Sequence, residues 1–239
     1  MASDQKVRVG GRELTVSNLD KVLYPETGTT KADVMRYYLA VADVLIPQAR
    51  LRPITRKRWP EGVGADSFFR KDLEDSAPEW IPTGEIQHTT SVNAYPLLDD
   101  PATLAWLAQV AALELHAPQW RFGADGIPQN PDRLVLDLDP GPGVELHGTA
   151  EVALMCRDIL EDMGLTCVPV TSGSNGIHLY AGLDGQSDAD AVSRVAKTLA
   201  KHLQREHPKR ITATMVKSQR EGKVFIDWSQ NNGKKTTVC

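Results

Sequence analysis

LVLDLDPGPG, residues Leu134 to Gly143, sets two aspartates one residue apart at the end of an apolar run and then stops the run with proline and glycine. A short apolar run bounded in this way reads as a buried strand, LVLDL (134–138). Side chains alternate across a strand, so Asp137 and Asp139 share one face while Leu136 and Leu138 take the other. The segments that follow alternate between periods of 3.6 and 2. A helix is predicted from about Thr149 to Met163, closed by Gly164, followed by strands TCVPV (166–170) and IHLYA (177–181). A second helix runs from about Ala189 to Glu206, ended by Pro208, with Val192, Val195, Leu199 and Leu203 on one face. ITATMV (211–216) and KVFIDW (223–228) are the last strands. This order, β-α-β-β-α-β with an extra strand before the last, predicts an α+β fold with a ferredoxin/RRM-like split βαβ core. In that core the first strand is central, between the third and the last. Asp227 therefore comes beside Asp137 and Asp139, and His178 and Tyr180 lie along the other edge.

Working back from this core, the stretch FGADGIPQNPDR (122–133) clusters Gly, Pro, Asn and Asp as a seam between two parts does. Before it, TTKADVMRYYLAVADVLI (29–46) predicts a helix that opens on a Thr30 and Asp33 capping box, with Val34, Tyr38, Val41 and Leu45 on one face. DPATLAWLAQVAALELH (100–116) predicts a second, capped by Asp100 with Pro101 at its first position. The organisation expected is one domain over residues 1–239, with an N-terminal α/β extension (1–125) and a catalytic core (133–239).

The 239 residues carry a net charge of -4, and that average hides a pattern. Residues 1–71 hold 13 Lys and Arg against 8 Asp and Glu, residues 72–170 hold 3 against 17, and residues 171–239 hold 11 against 6. Two basic segments bracket an acidic middle, an arrangement suited to a polyanion beside a carboxylate metal site. No apolar run reaches membrane-spanning length, and the first residues lack the apolar block of a secretory signal. Three cysteines, Cys156, Cys167 and Cys239, show neither disulfide-scaffold nor zinc spacing. A cytoplasmic protein without a membrane partner is expected.

Three convergent carboxylates repel one another unless a cation neutralises them, and Arg133 is the one nearby cation on their own strand. Hard oxygen ligands suit Mg2+ or Mn2+ with a phosphate substrate; the alternative is that the aspartates only cap the loop Pro140–Val144. Two further stretches bear on the choice. VTSGSNGIHLY (170–180) places Ser172, Gly173 and Gly176 in a short turn before His178, a phosphate cradle by composition and equally an ordinary hairpin. MVKSQREGKVFIDW (215–228) puts Lys217, Arg220 and Lys223 ahead of Asp227.

Taken together, VLDLDPG, SGSNGIHLY and KSQREGKVFIDWSQN resemble in order and spacing the three motifs of the archaeo-eukaryotic primase superfamily. In wording they resemble the polymerase domain of bacterial DNA ligase D, actinobacterial type. SNLDKVLYPETGTTKAD, RPITRKRWPEGV, SFFRKDL and LELHAPQWR match that family too. The resemblance implies a primase-polymerase fold and a nucleotidyltransferase that adds ribo- or deoxyribonucleotides to 3′-hydroxyl ends at gaps and double-strand breaks in bacterial non-homologous end joining, with nucleoid DNA, Ku and a ligase as partners. It implies Asp137, Asp139 and Asp227 as ligands of two divalent ions, Mn2+ or Mg2+. It implies Lys57, His116, Ser172, Asn175, His178, Arg220 and Gln230 as contacts of the nucleoside triphosphate. Asn175 stands where close relatives have lysine. Asn18, Lys21 and Lys31 match the family's pocket for a DNA 5′-phosphate, and Phe68 and Phe69 its template-stacking pair. The basic cluster RLRPITRKR (50–58) acquires a nucleic-acid role. The family also continues past KKTTVC with an arginine-bearing segment.

Two other readings compete. Haloacid-dehalogenase-like phosphatases also open on an apolar strand with two aspartates, but want threonine or valine where Gly141 stands. A non-catalytic module could use the phosphate pocket and the basic arm to hold broken DNA.

Overall fold

The computed structural model describes residues 4–239, which form two compact units. The first comprises the chain up to Ala117 with Phe122–Ile127 and Val238–Cys239, and the second comprises Pro118–Arg121 and Pro128–Thr237.

The second unit carries the opening motif. Its strands are β1 (Arg133–Pro140), β2 (Cys167–Thr171), β3 (Ile177–Gly182), β4 (Ile211–Thr212) and β5 (Val224–Asp227), and its helices are α1 (Leu146–Asp162) and α2 (Ala189–Glu206). The sheet order is β2-β3-β1-β5-β4. All pairings are antiparallel except β4 with β5. This is the split βαβ order, with β1 central and the extra strand outside the last. Leu134, Leu136 and Leu138 are fully buried against Val152, Cys156 and Leu160 of α1 and Val192, Leu199 and Leu203 of α2. Asp188 caps α2 by accepting from the Ala191 N–H at 2.7 Å. Val195 is exposed, although its spacing assigns it to the buried stripe.

The strand read over 211–216 ends at Thr212, and Lys217–Gln219 form a 3-10 turn. β5 also stops early, at Asp227, where the chain enters a second 3-10 turn, Trp228–Asn231. Asn231 takes over the hydrogen bonding that β5 gives up. Its side-chain amide accepts from the Val135 N–H at 2.9 Å and donates to the Val135 carbonyl at 2.7 Å, so neither buried backbone group of the central strand is left unpaired.

In the first unit, strands Thr55–Arg58, Phe68–Arg70 and Ala112–Ala117 pair antiparallel, with Thr55–Arg58 in the middle. Helices Lys31–Ala40 and Pro101–Gln109 supply Val34, Met35, Tyr38, Leu104, Trp106 and Leu107 to the core. Both expected N-caps form, Thr30 with Asp33 as a capping box and Asp100 on Thr103. Two expected helices are shorter than read. The first breaks at Val41, where a separate helix, Ala42–Ala49, begins. The second ends at Gln109, and after Ala111 at φ 53° the residues 112–117 form a strand. Good helix formers lose there because the segment pairs with Thr55–Arg58.

The basic cluster 50–58 is partly internal, which takes its buried members out of the nucleic-acid arm, while Arg50 stays exposed and Lys57 and Arg58 are half-buried. Arg52 and Arg56 are fully buried. Arg56 is bonded to Glu74 and the Asp72 carbonyl and lies over the Trp106 ring, while Arg58 donates to Glu74 at 2.6 Å and to the Val110 carbonyl at 2.7 Å. A buried guanidinium requires such partners.

Candidate active site

Asp137 lies directly opposite Asp227 across the β1–β5 pair and opposite His178 across the β1–β3 pair. His178 is buried, and its Nε2 is 3.3 Å from Asp137 Oδ1. Asp139 is one step further along the same face of β1. Burial, then the charges of Asp137 and Asp227, push the Asp139 carboxyl up to about 6, with Arg220 and His178 opposing. A face that holds three acids at this cost is suited to a cation.

The carboxylates are already engaged by hydrogen-bond donors. Gln230 Nε2 donates to Asp137 Oδ2 at 3.3 Å and to Asp227 Oδ2 at 3.2 Å, bridging the two acids. The other Asp227 oxygen accepts from the Ser229 N–H at 2.9 Å and from the Ser229 hydroxyl, on which Lys235 Nζ donates. Among the described residues no group of three His, Cys, Asp or Glu side chains is gathered as a metal cage. The donor set nevertheless fits a hard divalent ion, being all carboxylate, with a neutral amide between two of its members.

Two loops border this face. In the turn between β2 and β3, the Ser172 N–H donates to the Gly176 carbonyl, and the Gly176 N–H donates back to Ser172 Oγ at 3.1 Å. Gly173 is at φ 82°, and a Cβ at Gly176 would lie 2.7 Å from the Leu138 carbonyl oxygen and 3.6 Å from Asp139 Oδ1. The turn therefore rests against the end of β1, and Asn175 is exposed at its tip. The second loop carries Arg220, whose guanidinium stacks 3.6 Å from the Phe225 ring centroid and whose Nη2 donates to the Met215 carbonyl. Its Nε is buried with no partner, a donor available to an anion. Gly141 makes this loop possible: a Cβ there would lie 1.8 Å from the Arg220 carbonyl oxygen. Pro140 and Gly141 thus both end β1 and seat the Arg220 loop.

The first unit holds the remaining expected residues in two groups. Lys57 and His116 share one sheet face with Phe69, which lies opposite Lys57 and packs edge-on to His116 at 5.4 Å. Phe68, one residue away, is turned to the other face, over Arg58 at 5.4 Å, so the aromatic pair is split across the strand. The second group surrounds the start of helix Lys31–Ala40. Lys31, at its first position, is buried and donates to the Ser17 carbonyl at 3.1 Å. Burial, then the charges of Lys21 and Arg58, hold its ammonium below the usual lysine range. Lys21 follows Asn18, which is at φ 53°, and pairs with Glu61 at 2.8 Å.

The sequence reading missed Glu114, Ser229, Asn231 and Lys235. Glu114 carried no clear signal, since ALELHA is rich in helix formers and becomes a strand only by pairing with Thr55–Arg58.

Comparison with known proteins decides the family: a model of the LigD primase-polymerase domain matches residues 30–239. The chain belongs to the LigD primase-polymerase family. The multifunctional non-homologous end joining protein LigD of Mycobacterium bovis is 49% identical over 243 residues, covering 100% of this chain and 31% of that protein. The bifunctional LigD of Bacillus subtilis is 28% identical over 231 residues, covering 95% of this chain and 36% of that protein. The chain thus spans about a third of the length of these LigD proteins. The solved polymerase domain from Mycobacterium tuberculosis ligase D in complex with DNA superposes with a TM-score of 0.92 at 49% identity, over 95% of this chain and 80% of that one. These matches leave the phosphatase reading without support. No helix among the described residues is long and apolar enough to cross a membrane.

Proposed function

We propose that this LigD primase-polymerase chain is a template-dependent nucleotidyltransferase that extends 3′-hydroxyl ends at gaps and double-strand breaks during bacterial non-homologous end joining. The observation that carries the proposal is the placement of Asp137, Asp139 and Asp227 on one face, bordered by the Ser172–Gly176 turn and by Arg220. These carboxylates would hold Mn2+ or Mg2+, which would supply Lewis-acid activation of the primer hydroxyl and neutralise charge on the triphosphate.

The chain's own groups handle the nucleotide. The Ser172 hydroxyl, which accepts from the Gly176 N–H and keeps its own proton to give, and the unpartnered Arg220 Nε offer donors to the triphosphate. His178 orients Asp137 from the neighbouring strand. Gln230 releases the two carboxylates it bridges and turns to the nucleotide. Lys57 and His116 are further nucleotide contacts, and Phe69 and Phe68 stack on template bases. Lys31 and Lys21, at a helix N-terminus whose dipole favours anions, take the 5′-phosphate of the downstream strand. The protein acts in the bacterial cytoplasm, on nucleoid DNA, with Ku and a ligase.

The test is extension of a gapped duplex bearing a 5′-phosphate, with Mn2+ and labelled ribo- or deoxyribonucleotide. Extension is expected, lost in Asp137→Ala and Asp227→Ala while duplex binding survives. Duplex binding without extension under either metal refutes the polymerase reading and leaves an end-binding module.

A further inference from the structure

Glu114 lies on the face that presents Lys57 and His116. It lies directly opposite Lys57 across the strand pair, and His116 is two residues further on the same face. Its two oxygens are divided between the two side chains: Lys57 Nζ donates to Oε1 at 3.0 Å, and His116 Nε2 donates to Oε2 at 2.8 Å. All three side chains are half-buried, with Lys57 at 27%, Glu114 at 34% and His116 at 15% relative exposure. The Lys57 ammonium is further enclosed by the rings of Trp59 at 4.5 Å and Phe69 at 5.8 Å.

We infer that Glu114 is a positioning residue for nucleotide binding: its carboxylate fixes Lys57 and His116 in the orientations that meet the incoming triphosphate. The inference rests on the proposed role of Lys57 and His116 as nucleotide contacts. A lysine side chain carries a large rotamer entropy, and a held ammonium forfeits less of it on binding. A carboxylate on Nε2 also makes that nitrogen the donor, which sets the orientation of the ring. Burial alone pushes the Glu114 carboxyl up, but the hydrogen bonds and charges of Lys57 and His116 hold it below the usual range, so it stays ionised and keeps both partners. An exposed ion pair on a sheet would engage one partner loosely. Here both oxygens are used, and both partners are residues with an assigned task.

The experiment measures equilibrium binding of a non-hydrolysable ribonucleoside triphosphate with Mn2+, together with KM and kcat on a gapped duplex, for Glu114→Ala, Glu114→Gln and Lys57→Ala. Glu114→Ala is expected to weaken nucleotide binding and raise KM by about tenfold, the worth of one charged hydrogen bond, with kcat within threefold and duplex affinity unchanged. Glu114→Gln keeps an oxygen acceptor and is expected to recover part of the loss, which identifies positioning and not loss of fold. Lys57→Ala weakening binding while both Glu114 variants bind normally overturns the inference and leaves Lys57 as a contact. Tighter nucleotide binding in Glu114→Ala also overturns it, because Glu114 is then a competitor of the triphosphate. Unchanged binding in Lys57→Ala removes the nucleotide role of Lys57 itself, and the inference with it.

Discussion

Gly141→Ala is the sharpest single perturbation of the candidate active site, because it adds one carbon where two backbones meet. The new Cβ would lie 1.8 Å from the Arg220 carbonyl oxygen, 2.6 Å from its carbonyl carbon and 2.8 Å from the Lys223 carbonyl oxygen. None of these is the end of a flexible side chain, so the end of β1 and the Arg220 loop must part by more than about 1 Å to restore ordinary contact. The hydrogen bonds that tie them, from the Gly141 N–H to the Lys223 carbonyl and from the Gly222 N–H to the Pro142 carbonyl, lengthen with them. Overpacking of this kind costs about 1–3 kcal/mol of stability. A displacement of about 1 Å in a group that positions substrate costs on the order of 100-fold in rate. Single-turnover nucleotide addition on a gapped duplex, read beside a thermal melt, measures both effects. Gly143→Ala is the control, since Gly143 has φ 83° and nothing within 4 Å of a Cβ. It is expected to lose about 1 kcal/mol from backbone strain alone and to keep its rate within a few-fold. A Gly141→Ala protein with wild-type rate and melting temperature refutes the argument that this glycine seats Arg220.

Three further outcomes are expected. Asp139→Asn, in chelator at neutral pH, should raise stability by about 1 kcal/mol, or about 2–4 °C in melting temperature, because it removes one of three crowded charges; a lower melting temperature contradicts that electrostatic reading. Glu74→Ala should cost about 3 kcal/mol by leaving the buried Arg56 guanidinium without its carboxylate, while duplex affinity per folded molecule stays constant. A stable Glu74→Ala protein with weaker duplex binding would return the basic cluster to the DNA. Lys21→Ala should reduce the preference for a 5′-phosphorylated gap over an unphosphorylated one, measured by competition binding, and an unchanged preference removes Lys21 from the pocket.

The second unit was legible because its signals are local and agree with one another. LVLDL alternates cleanly, residues 189–206 repeat every 3.6 with a cap at Asp188, and the element order leaves one familiar sheet. The pairing of Asp137 with Asp227, 90 residues apart, followed from topology alone. What failed was decided by partners distant in sequence. AALELHA consists of helix formers and becomes a strand because Thr55–Arg58 offers a ladder to it. Arg52 and Arg56 are charged and read as surface, yet the Gln48 carbonyl at Arg52, and Glu74, the Asp72 carbonyl and the Trp106 ring at Arg56, make their burial tolerable. Glu114 could be recognised only once its segment was a strand, since in a helix it would not face Lys57.

The amide of Asn231 pairs with Val135 in the place of a strand residue, and the four residues from Trp228 to Asn231 form the single 3-10 turn that brings it there. The spacing between Asp227 and Asn231 is thereby metric. One residue more or fewer would carry the amide off Val135 or drag β5 along β1 by one step, and a one-step slip exchanges Asp227 for Ile226 on the face that bears the acids. Sequence drift in this turn is therefore expected to change letters and to conserve their number, so that insertions and deletions among related chains stop short of it on both sides.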